Sequence, residues 1–548
     1  MQLIVSAGLI AVILVWGLLS PATLSSFFSE ALARITHSFG WFYLWLVLGL
    51  VILALYLAVS RYGELKLGEE DDEPEFSLHA WFAMLFAAGM GIGLVFFGVA
   101  EPVSHFGTPP GGIAPHTAEA AQTAMRYTFF HWGFHPWAIY GVVGLAIAFF
   151  SFRRKTKPLV GAVTESLHWT LVRRLSPAFN ILATVATTFG VAASLGVGAT
   201  QINSGLNAAF GMQISTLNQS IIIVVTTLLF LTSAVTGVER GVKWLSTANL
   251  VLAALLALAV FLLGPTIAIV DTLTTTLGSY ISEFVRMSLR MTPFRTSTWV
   301  ADWTIFYWAW WLSWSPFVGM FIARVSRGRT IREFIFGVVL APTLVSFLWF
   351  SIFGATALNL EIFHHVPLEQ ALKNDASTVL FVMFESLPAS LLLSVTATIL
   401  VFVFFVTSGD SATLVLGTMS TEGDLNPPAR VKIIWGVLVA GIALSLLQAG
   451  GIQAVQSATI VFALPFSAVL LLMAIAVTLA IREDWHAENA RERELHRKLR
   501  ELARQAEAAG LDIGRAHLEL RLSHRPPPTR SDALQDAPTE ASRDPRAP

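Results

Sequence analysis

Twelve long apolar runs constrain the fold of this chain more than any other feature of its 548 residues. A helix needs about 20 mostly apolar residues to cross the hydrocarbon core of a bilayer. Hydrophobic residues make up 55% of the chain and charged residues 13%, which is more apolar surface than a soluble core can bury. The sequence therefore predicts an all-α integral membrane protein with twelve transmembrane helices. The predicted spans are residues 3–20, 41–59, 80–100, 129–152, 178–207, 219–237, 246–270, 303–323, 335–356, 388–413, 431–449 and 455–481.

The basic residues predict how these helices are oriented. All 35 Lys and Arg residues lie outside the apolar centres of the runs. Sixteen fall in loops on the same side as the N-terminus, six fall on the opposite side, and 13 follow the last run. Because Lys and Arg accumulate in cytoplasmic loops, both termini are predicted to be cytoplasmic, in a multi-pass protein of the cell (inner) membrane.

Alternating glycines in the third run predict a helix that unwinds. Gly89, Gly91 and Gly93 occupy every second position, and each glycine inside a helix costs roughly 1 kcal/mol relative to alanine. Unwound backbone offers its N–H and C=O groups to an ion or a carboxylate, provided that it lines a cavity. Close helix packing through small residues is the alternative, but alternate glycines face different sides of a helix.

The eighth run contains Trp314-Ser315-Pro316, which predicts a second interruption. The third and eighth runs are five spans apart, and an odd number of spans per half reverses the orientation of the second half. This spacing predicts an inverted repeat of spans 3–7 and 8–12, of the kind that alternating-access carriers use.

The eighth run also concentrates aromatic rings, since residues 302–316 hold five of the 17 tryptophans. Indole faces carry negative electrostatic potential, and each attracts a desolvated quaternary ammonium by up to ~2 kcal/mol. The cluster therefore predicts a site for an organic cation. An interfacial aromatic belt or ordinary packing between helices is the alternative.

Changes in composition predict five segments. Residues 1–79 hold two helices and the first cytoplasmic loop, and residues 80–270 and 303–481 hold the two repeats. Residues 271–302 hold an interfacial amphipathic helix and a loop, because charged residues recur there at helical spacing. Residues 482–548 hold a charged cytoplasmic helix and a Pro-rich disordered tail.

Six motifs together resemble the betaine/carnitine/choline transporter (BCCT) family over roughly residues 1–485. The resemblance implies a LeuT-type core of spans 3–12 preceded by two helices, secondary active transport of quaternary ammonium solutes, and a homotrimer. The motifs are Gly89-Met90-Gly91-Ile92-Gly93-Leu94, Gly98-Val99-Ala100-Glu101-Pro102, Phe130-His131-Trp132-Gly133, Trp137-Ala138-Ile139-Tyr140, the stretch from Phe306-Tyr307-Trp308-Ala309-Trp310-Trp311 to Arg324-Val325-Ser326-Arg327-Gly328-Arg329-Thr330, and Thr407-Ser408-Gly409-Asp410-Ser411.

The resemblance also implies where the substrate binds. The trimethylammonium group would lie in an aromatic box, and the substrate carboxylate would meet the backbone amides of Gly89, Met90, Gly91 and Gly93. On an unbroken helix the three ring residues of the fourth span would fall within an arc of about 140°. The implied box residues are Trp132, Trp137, Tyr140 and Trp311, with Trp310 and Trp314 as neighbouring ligand and pathway residues.

One sodium site is implied by the same resemblance. Two hydroxyls and a carbonyl on the tenth span would converge with carbonyls of the third, and a hard cation prefers such oxygen ligands. A Thr-Ser pair that bonds to its own helix is the alternative. The implied sodium ligands are Ala87, Met90, Phe404, Thr407 and Ser408.

Two positions depart from the family pattern. At the second sodium position of the family, Thr187 supplies a hydroxyl, but Val191 one turn later cannot ligate a cation. Choline-selective members typically have Asp where this chain has Gly93. The absence of that carboxylate favours a zwitterionic substrate.

The predicted function is import of a quaternary ammonium compatible solute coupled to sodium, with glycine betaine as the predicted solute. Proton-coupled or exchange transport of choline, carnitine or a related osmolyte is the alternative, with His131, His135 and Asp410 as ionisable candidates. A channel or a non-transporting osmosensor is the alternative from another class. No catalytic residue, metal-ligand cluster or nucleotide motif is found, and the absence of cysteine excludes thiol chemistry. Neither an enzyme nor a nucleic-acid partner is therefore predicted.

A basic segment in the tail suggests one further partner. Residues 491–504 hold six basic residues against three acidic ones. Such a segment binds anionic lipid with about 1 kcal/mol per residue. A solvated helix is the alternative.

Overall fold

A computed structural model describes residues 1–89, 91–236, 239–294, 296–450 and 452–508 of the chain. All named elements within those ranges are helical, which confirms the all-α prediction. The α-helices are α1 (Gln2–Leu19), α2 (Pro21–Val59), α3 (Leu78–Gly89), α4 (Ile92–Gly107), α5 (Ala118–Trp132), α6 (Phe134–Ala148), α7 (Val160–Glu165), α8 (Thr170–Phe210), α9 (Thr216–Thr236), α10 (Glu239–Leu263), α11 (Thr266–Ser288), α12 (Phe306–Arg324), α13 (Ile331–Phe363), α14 (Leu368–Asn374), α15 (Val379–Glu385), α16 (Ser390–Ser420), α17 (Ala429–Gly450) and α18 (Ile452–Ala508).

Ten helical segments in the described ranges are long and apolar enough to cross a membrane, and they coincide with ten of the twelve predicted spans. The two other predicted spans have different geometry. The third is divided between α3 and α4, and the eighth corresponds to α12, a 19-residue helix rich in tryptophan.

The predicted interruption of the third span is confirmed. Helix α3 ends at Gly89, α4 begins at Ile92, and Gly91 between them is extended, with φ −155° and ψ −150°. Met90 lies outside the described residues. The first amide N–H groups of α4 consequently have no carbonyl partner within their own helix.

The predicted interruption of the eighth span at Ser315-Pro316 is wrong. Helix α12 runs unbroken through Pro316. A proline removes the N–H that would bond the carbonyl four residues earlier. Here the Ser315 hydroxyl donates to the Leu312 carbonyl oxygen at 2.7 Å and satisfies that carbonyl. The irregular backbone lies immediately before α12, in a π-helical turn at Val300–Ile305.

The fourth span contains a break that the sequence reasoning missed. Gly133, with φ −92° and ψ −133°, separates α5 from α6. A Cβ atom at Gly133 would lie 2.6 Å from the Phe129 carbonyl oxygen and 2.9 Å from the Tyr280 hydroxyl, so a larger residue would clash. The Tyr280 hydroxyl on α11 accepts a hydrogen bond from the Phe134 amide at 3.3 Å and stabilises the broken end.

Two loops hold the start of α3 against the end of α12. The Trp81 indole N–H donates to the Ser326 hydroxyl at 2.9 Å, and the Arg329 guanidinium lies 4.1 Å from the centre of the Trp81 ring. In the same place Arg327 pairs with Asp72 at 3.1 Å. The Glu69 amide and the Arg327 side chain both bond the Asp72 carboxyl and lower its pKa.

The chain divides into two compact units, Met1–Ile481 and Arg482–Pro548. Within the first unit, α12 packs against α6 and α8, and α16 packs against α8, α9 and α10. In the second unit the structure describes the charged end of α18. There Lys498 pairs with Glu494 at 2.8 Å, and this contact lowers the pKa of the Glu494 carboxyl. The tail predicted to be disordered, residues 509–548, lies outside the described residues.

Candidate functional site

A cavity of about 90 Å³ lies among α4, α5, α6, α8, α10, α12 and α16. Rings cover one side of it, and backbone, hydroxyl and amide groups cover another. The lining residues are Gly91, Ile92, Gly93, Leu94, Trp132, Tyr140, Ser194, Ser246, Asn249, Leu250, Trp310, Trp311, Trp314, Phe317, Phe321, Phe404, Thr407, Ser408 and Ser411.

The aromatic wall of the cavity consists of Trp132, Tyr140, Trp310, Trp311 and Trp314. Trp310 and Trp311 are stacked, with ring centres 4.9 Å apart and planes 12° apart. Trp132 and Tyr140 approach the Trp311 ring edge-on, at 4.9 Å and 6.2 Å. Several aromatic side chains therefore line one cavity, which is an arrangement that binds an organic cation.

Hydrogen bonds behind the wall fix two of its indoles and leave two unpaired. The Trp311 N–H donates to the His131 carbonyl at 3.1 Å, and the Trp132 N–H donates to Glu101 at 2.8 Å. Among the described residues, the buried indole nitrogens of Trp310 and Trp314 have no partner. An unmatched buried donor costs about 1–3 kcal/mol, so a ligand with an acceptor group would relieve that cost.

Glu101 lies behind this wall in a network that the sequence reasoning missed. Its carboxylate is fully buried and contacts the Trp132 indole nitrogen, the Tyr307 hydroxyl and the ring nitrogens of His105 and His131. The sequence analysis found no metal-ligand cluster, yet ligand atoms of Glu101, His105 and His131 lie within 4.8 Å of one another. The available signal was an ionisable residue inside an apolar run, four residues before a histidine.

The polar wall consists of Gly91, Gly93, Asn249, Thr407 and Ser408. A Cβ atom at Gly93 would lie 2.9 Å from the Trp310 ring and 3.1 Å from the Trp132 ring, so position 93 faces the aromatic wall. The Thr407 hydroxyl donates to the Val403 carbonyl at 2.9 Å and accepts from the Asn249 amide at 3.2 Å. The Asn249 side-chain oxygen is buried and has no partner among the described residues.

Most of the predicted site residues meet in this one cavity. Ala87 lies on α3 and Gly89 ends that helix, while Met90 lies outside the described residues. Trp137 is not among the described residues that line the cavity, and its ring contacts the Tyr140 ring at 5.7 Å. The 140° arc assumed an unbroken helix, whereas Gly133 interrupts it between Trp132 and Trp137. The predicted residues that line the cavity are Gly91, Gly93, Trp132, Tyr140, Trp310, Trp311, Trp314, Phe404, Thr407 and Ser408.

The other ionisable and hydroxyl candidates lie elsewhere. His131 belongs to the Glu101 network, and His135 contacts the Ser288 hydroxyl at 2.8 Å. Asp410 on α16 has one buried carboxylate oxygen without a partner in the described chain. Thr187, beside the apolar Val191 on α8, is fully buried, and its hydroxyl also has no partner among described residues.

Comparisons with known proteins agree on one family. The BCCT profile, described as betaine/carnitine/choline family transporter, matches residues 2–486. The chain is 47% identical over 466 residues to the glycine betaine transporter OpuD of Bacillus subtilis, covering 84% of this chain and 90% of that protein. It is 43% identical over 464 residues to the ectoine/hydroxyectoine transporter of Virgibacillus pantothenticus, covering 83% and 92%. It is 41% identical over 495 residues to the glycine betaine transporter 1 of Vibrio parahaemolyticus, covering 88% and 93%.

Proposed function

The chain belongs to the betaine/carnitine/choline transporter family, and we propose that it imports glycine betaine by symport with sodium. The family and its named members are membrane transporters, not enzymes. The proposal includes twelve membrane-spanning helices with a LeuT-type repeat, cytoplasmic termini and a homotrimeric assembly. The choice of betaine within this family follows from the chemistry of the cavity.

The observation that carries the proposal is that the aromatic wall and the start of α4 share one cavity. The trimethylammonium group has no hydrogen-bond donor, so it suits the faces of Trp132, Trp310 and Trp311. The carboxylate at the other end of a betaine suits the free amides and the positive dipole end of α4 at Ile92 and Gly93. One small zwitterion can satisfy both groups of contacts.

Charge considerations disfavour choline. Choline carries the same cation but only a hydroxyl at the other end, so it would leave the amides of α4 and the indole N–H of Trp314 poorly matched. Gly93 supplies no carboxylate inside the cavity that could contact the cation directly, and the buried carboxylate of Glu101 acts only from behind the Trp132 ring. The cavity therefore favours a solute that carries its own carboxylate.

Ectoine is the second candidate, because one relative is named an ectoine/hydroxyectoine transporter. Ectoine is also a zwitterion, but its cation is a planar amidinium group within a partly saturated ring, and it bears N–H donors. Stacked indoles such as Trp310 and Trp311 accommodate a planar cation, whereas a wall of apolar faces leaves N–H donors unpaired.

Sodium would bind beside the polar wall. Thr407, Ser408 and the Phe404 carbonyl offer oxygens on one side, and the carbonyls of Ala87 and Met90 would complete the set, as a hard cation requires. The hydroxyl of Thr407 keeps a lone pair available even while it donates to its own helix. We propose a single sodium site, because Val191 offers no ligand at the second sodium position of the family.

Uptake into proteoliposomes tests the function. Labelled betaine, ectoine, choline and carnitine are offered with the sodium gradient and the proton gradient imposed separately. We expect sodium-driven accumulation of betaine above that of the other three solutes. Uptake that persists without sodium and stops when the proton gradient is dissipated would instead support proton coupling through His131, His135 or Asp410. No accumulation of any of the four solutes would contradict transport of this class.

A further inference from the structure

We propose that Glu101 is a positioning residue that strengthens the binding of a cation by the aromatic wall. The proposal rests on the function proposed above and adds one element to it. The Glu101 carboxylate bonds the indole N–H of Trp132, which lines the cavity, and the hydroxyl of Tyr307, which contacts the Trp132 and Trp311 rings. Glu101 would thereby set both the orientation of the rings and the negative potential of their faces.

The geometry connects Glu101 to two neighbouring rings that both contact Trp311. One carboxylate oxygen of Glu101 accepts the Trp132 indole N–H at 2.8 Å and also the Tyr307 hydroxyl. Tyr307 is stacked on Trp311 at 5.8 Å with planes 22° apart, and Trp132 contacts the same ring edge-on at 4.9 Å. The two rings bonded to Glu101 therefore both contact Trp311.

The other carboxylate oxygen extends the network to the backbone that holds Trp311. It lies 2.7 Å from Nδ1 of His131 and 3.2 Å from Nε2 of His105. The second ring nitrogen of His131 contacts the Thr304 hydroxyl at 3.0 Å, and the His131 carbonyl accepts the Trp311 indole N–H at 3.1 Å. Both oxygens of Glu101 face donor-capable groups, so these contacts support a hydrogen-bonded network rather than a vacant metal site.

The electrostatic effect of this network follows from its chemistry. A carboxylate that accepts an indole N–H bond shifts electron density into the ring and makes its face more negative. A cation in front of the ring is then attracted by that face and also by the carboxylate behind it. Because Glu101 and Trp132 are buried, this attraction is weakly screened. A neutral group of the same shape would gain almost nothing from it.

The test measures selectivity between two ligands of the same shape. Glycine betaine and 3,3-dimethylbutanoate share a carboxylate and a bulky trimethyl head, but only the betaine head is charged. Dissociation constants for both are measured by competition on the full-length protein and on Glu101→Gln. We expect the preference of the wild-type protein for betaine over the isostere with the uncharged head to fall about tenfold in Glu101→Gln, which corresponds to about 1.4 kcal/mol.

A matched control separates this effect from a general loss of structure. Glu361 on α13 is a half-buried carboxylate that accepts the amides of Leu368 and Glu369 at 2.6 Å and 3.1 Å, outside the cavity lining. Glu361→Gln should leave the ligand preference unchanged. Equal weakening of both ligands by Glu101→Gln, or an unchanged preference, would contradict the proposal.

A second variant keeps the test decisive if Glu101→Gln cannot be purified in a folded form. Replacing Trp132 with benzothienylalanine keeps the fused ring but removes the N–H that bonds Glu101. The preference for betaine should again fall, by about threefold to fivefold, and an unchanged preference would overturn the proposal. A wild-type protein that binds neither ligand would instead contradict the proposed function, so the two failures are distinguishable.

Discussion

The aromatic wall and the polar wall of the cavity are built in opposite ways. On the aromatic side, Trp132, Trp310 and Trp311 are at most 5% exposed, and two of their three indole N–H groups are bonded to groups behind them. On the polar side, Thr407 and Ser408 are half-buried, and the Asn249 oxygen is unmatched in the described chain. The difference indicates that the cation site is largely preorganised, whereas the polar wall is completed only when its ligands bind.

The largest expected effect is on the polar wall. The double variant Thr407→Ala with Ser408→Ala should abolish the sodium stimulation of betaine uptake, because a dry cation site cannot lose two oxygen ligands without replacement. Uptake in proteoliposomes is compared with and without a sodium gradient. Thr413→Ala is the control, since its hydroxyl on the same helix bonds the Asp410 carbonyl outside the cavity lining. Wild-type sodium dependence in the double variant would place the coupling ion elsewhere.

The next effect is on the aromatic wall. Trp311→Leu keeps an apolar side chain but removes the indole face, so betaine affinity should fall by roughly 1–2 kcal/mol, or about 5- to 30-fold. Trp132→Leu should behave similarly. Binding is measured by titration calorimetry on purified protein. Trp45→Leu serves as the control, because Trp45 lies on α2 and is 59% exposed. Unchanged affinity in both cavity variants would mean that these rings only pack.

Position 93 tests whether the two walls act on one substrate. Gly93→Asp should raise the ratio of choline uptake to betaine uptake about tenfold relative to Gly93→Ala, because the new charge attracts the cation and repels the betaine carboxylate. The alanine variant is the matched control for the crowding against Trp310 and Trp132. Equal ratios in the two variants would show that position 93 does not face the substrate.

The smallest expected effect concerns the hydrogen bond by which Ser315 stabilises α12 at Pro316. Ser315→Ala leaves the Leu312 carbonyl unpaired, so it should lower the free energy of unfolding by about 1 kcal/mol. Thermal unfolding in detergent measures the change. Ser313→Ala is the control. The Ser313 hydroxyl bonds the Trp310 carbonyl, but residue 314, four positions later, is not a proline and keeps the N–H that a helix pairs with that carbonyl. Equal stability losses in both variants would contradict this role for Ser315.

Local chemistry explains which parts of the fold could be predicted from the sequence. The glycines at 89–93 interrupt a helix through their own backbone freedom, so the break before Ile92 was predictable. The break at Gly133 also has local signals, in Gly133 itself and in Pro136, which removes a helical N–H. The Tyr280 hydroxyl adds a long-range contact at that break, and the continuity of α12 depends on the hydrogen bond from Ser315. Sequence periodicity does not contain such contacts. The predicted arc that includes Trp137 requires an unbroken helix, and the break at Gly133 separates Trp137 from Trp132.

The candidate site also contains features that the sequence predicts and features that it does not. The rings and hydroxyls were predictable as residue types, because cation binding needs aromatic faces and sodium binding needs oxygens. The residues that hydrogen-bond these rings and hydroxyls were not predictable from the sequence. Glu101 contacts Trp132 from 31 positions away, and Asn249 contacts Thr407 from 158 positions away. Tertiary folding alone brings these pairs together.

The central claim is that the face of Trp311 holds the cationic head of the substrate. Site-specific replacement of Trp311 by tryptophans with one to four ring fluorines tests it most directly, because each fluorine reduces the negative potential of the face while leaving its shape almost unchanged. We expect the logarithm of the betaine dissociation constant to rise steadily with fluorine number, by roughly tenfold over the series. A dissociation constant that does not change across the series would contradict the claim.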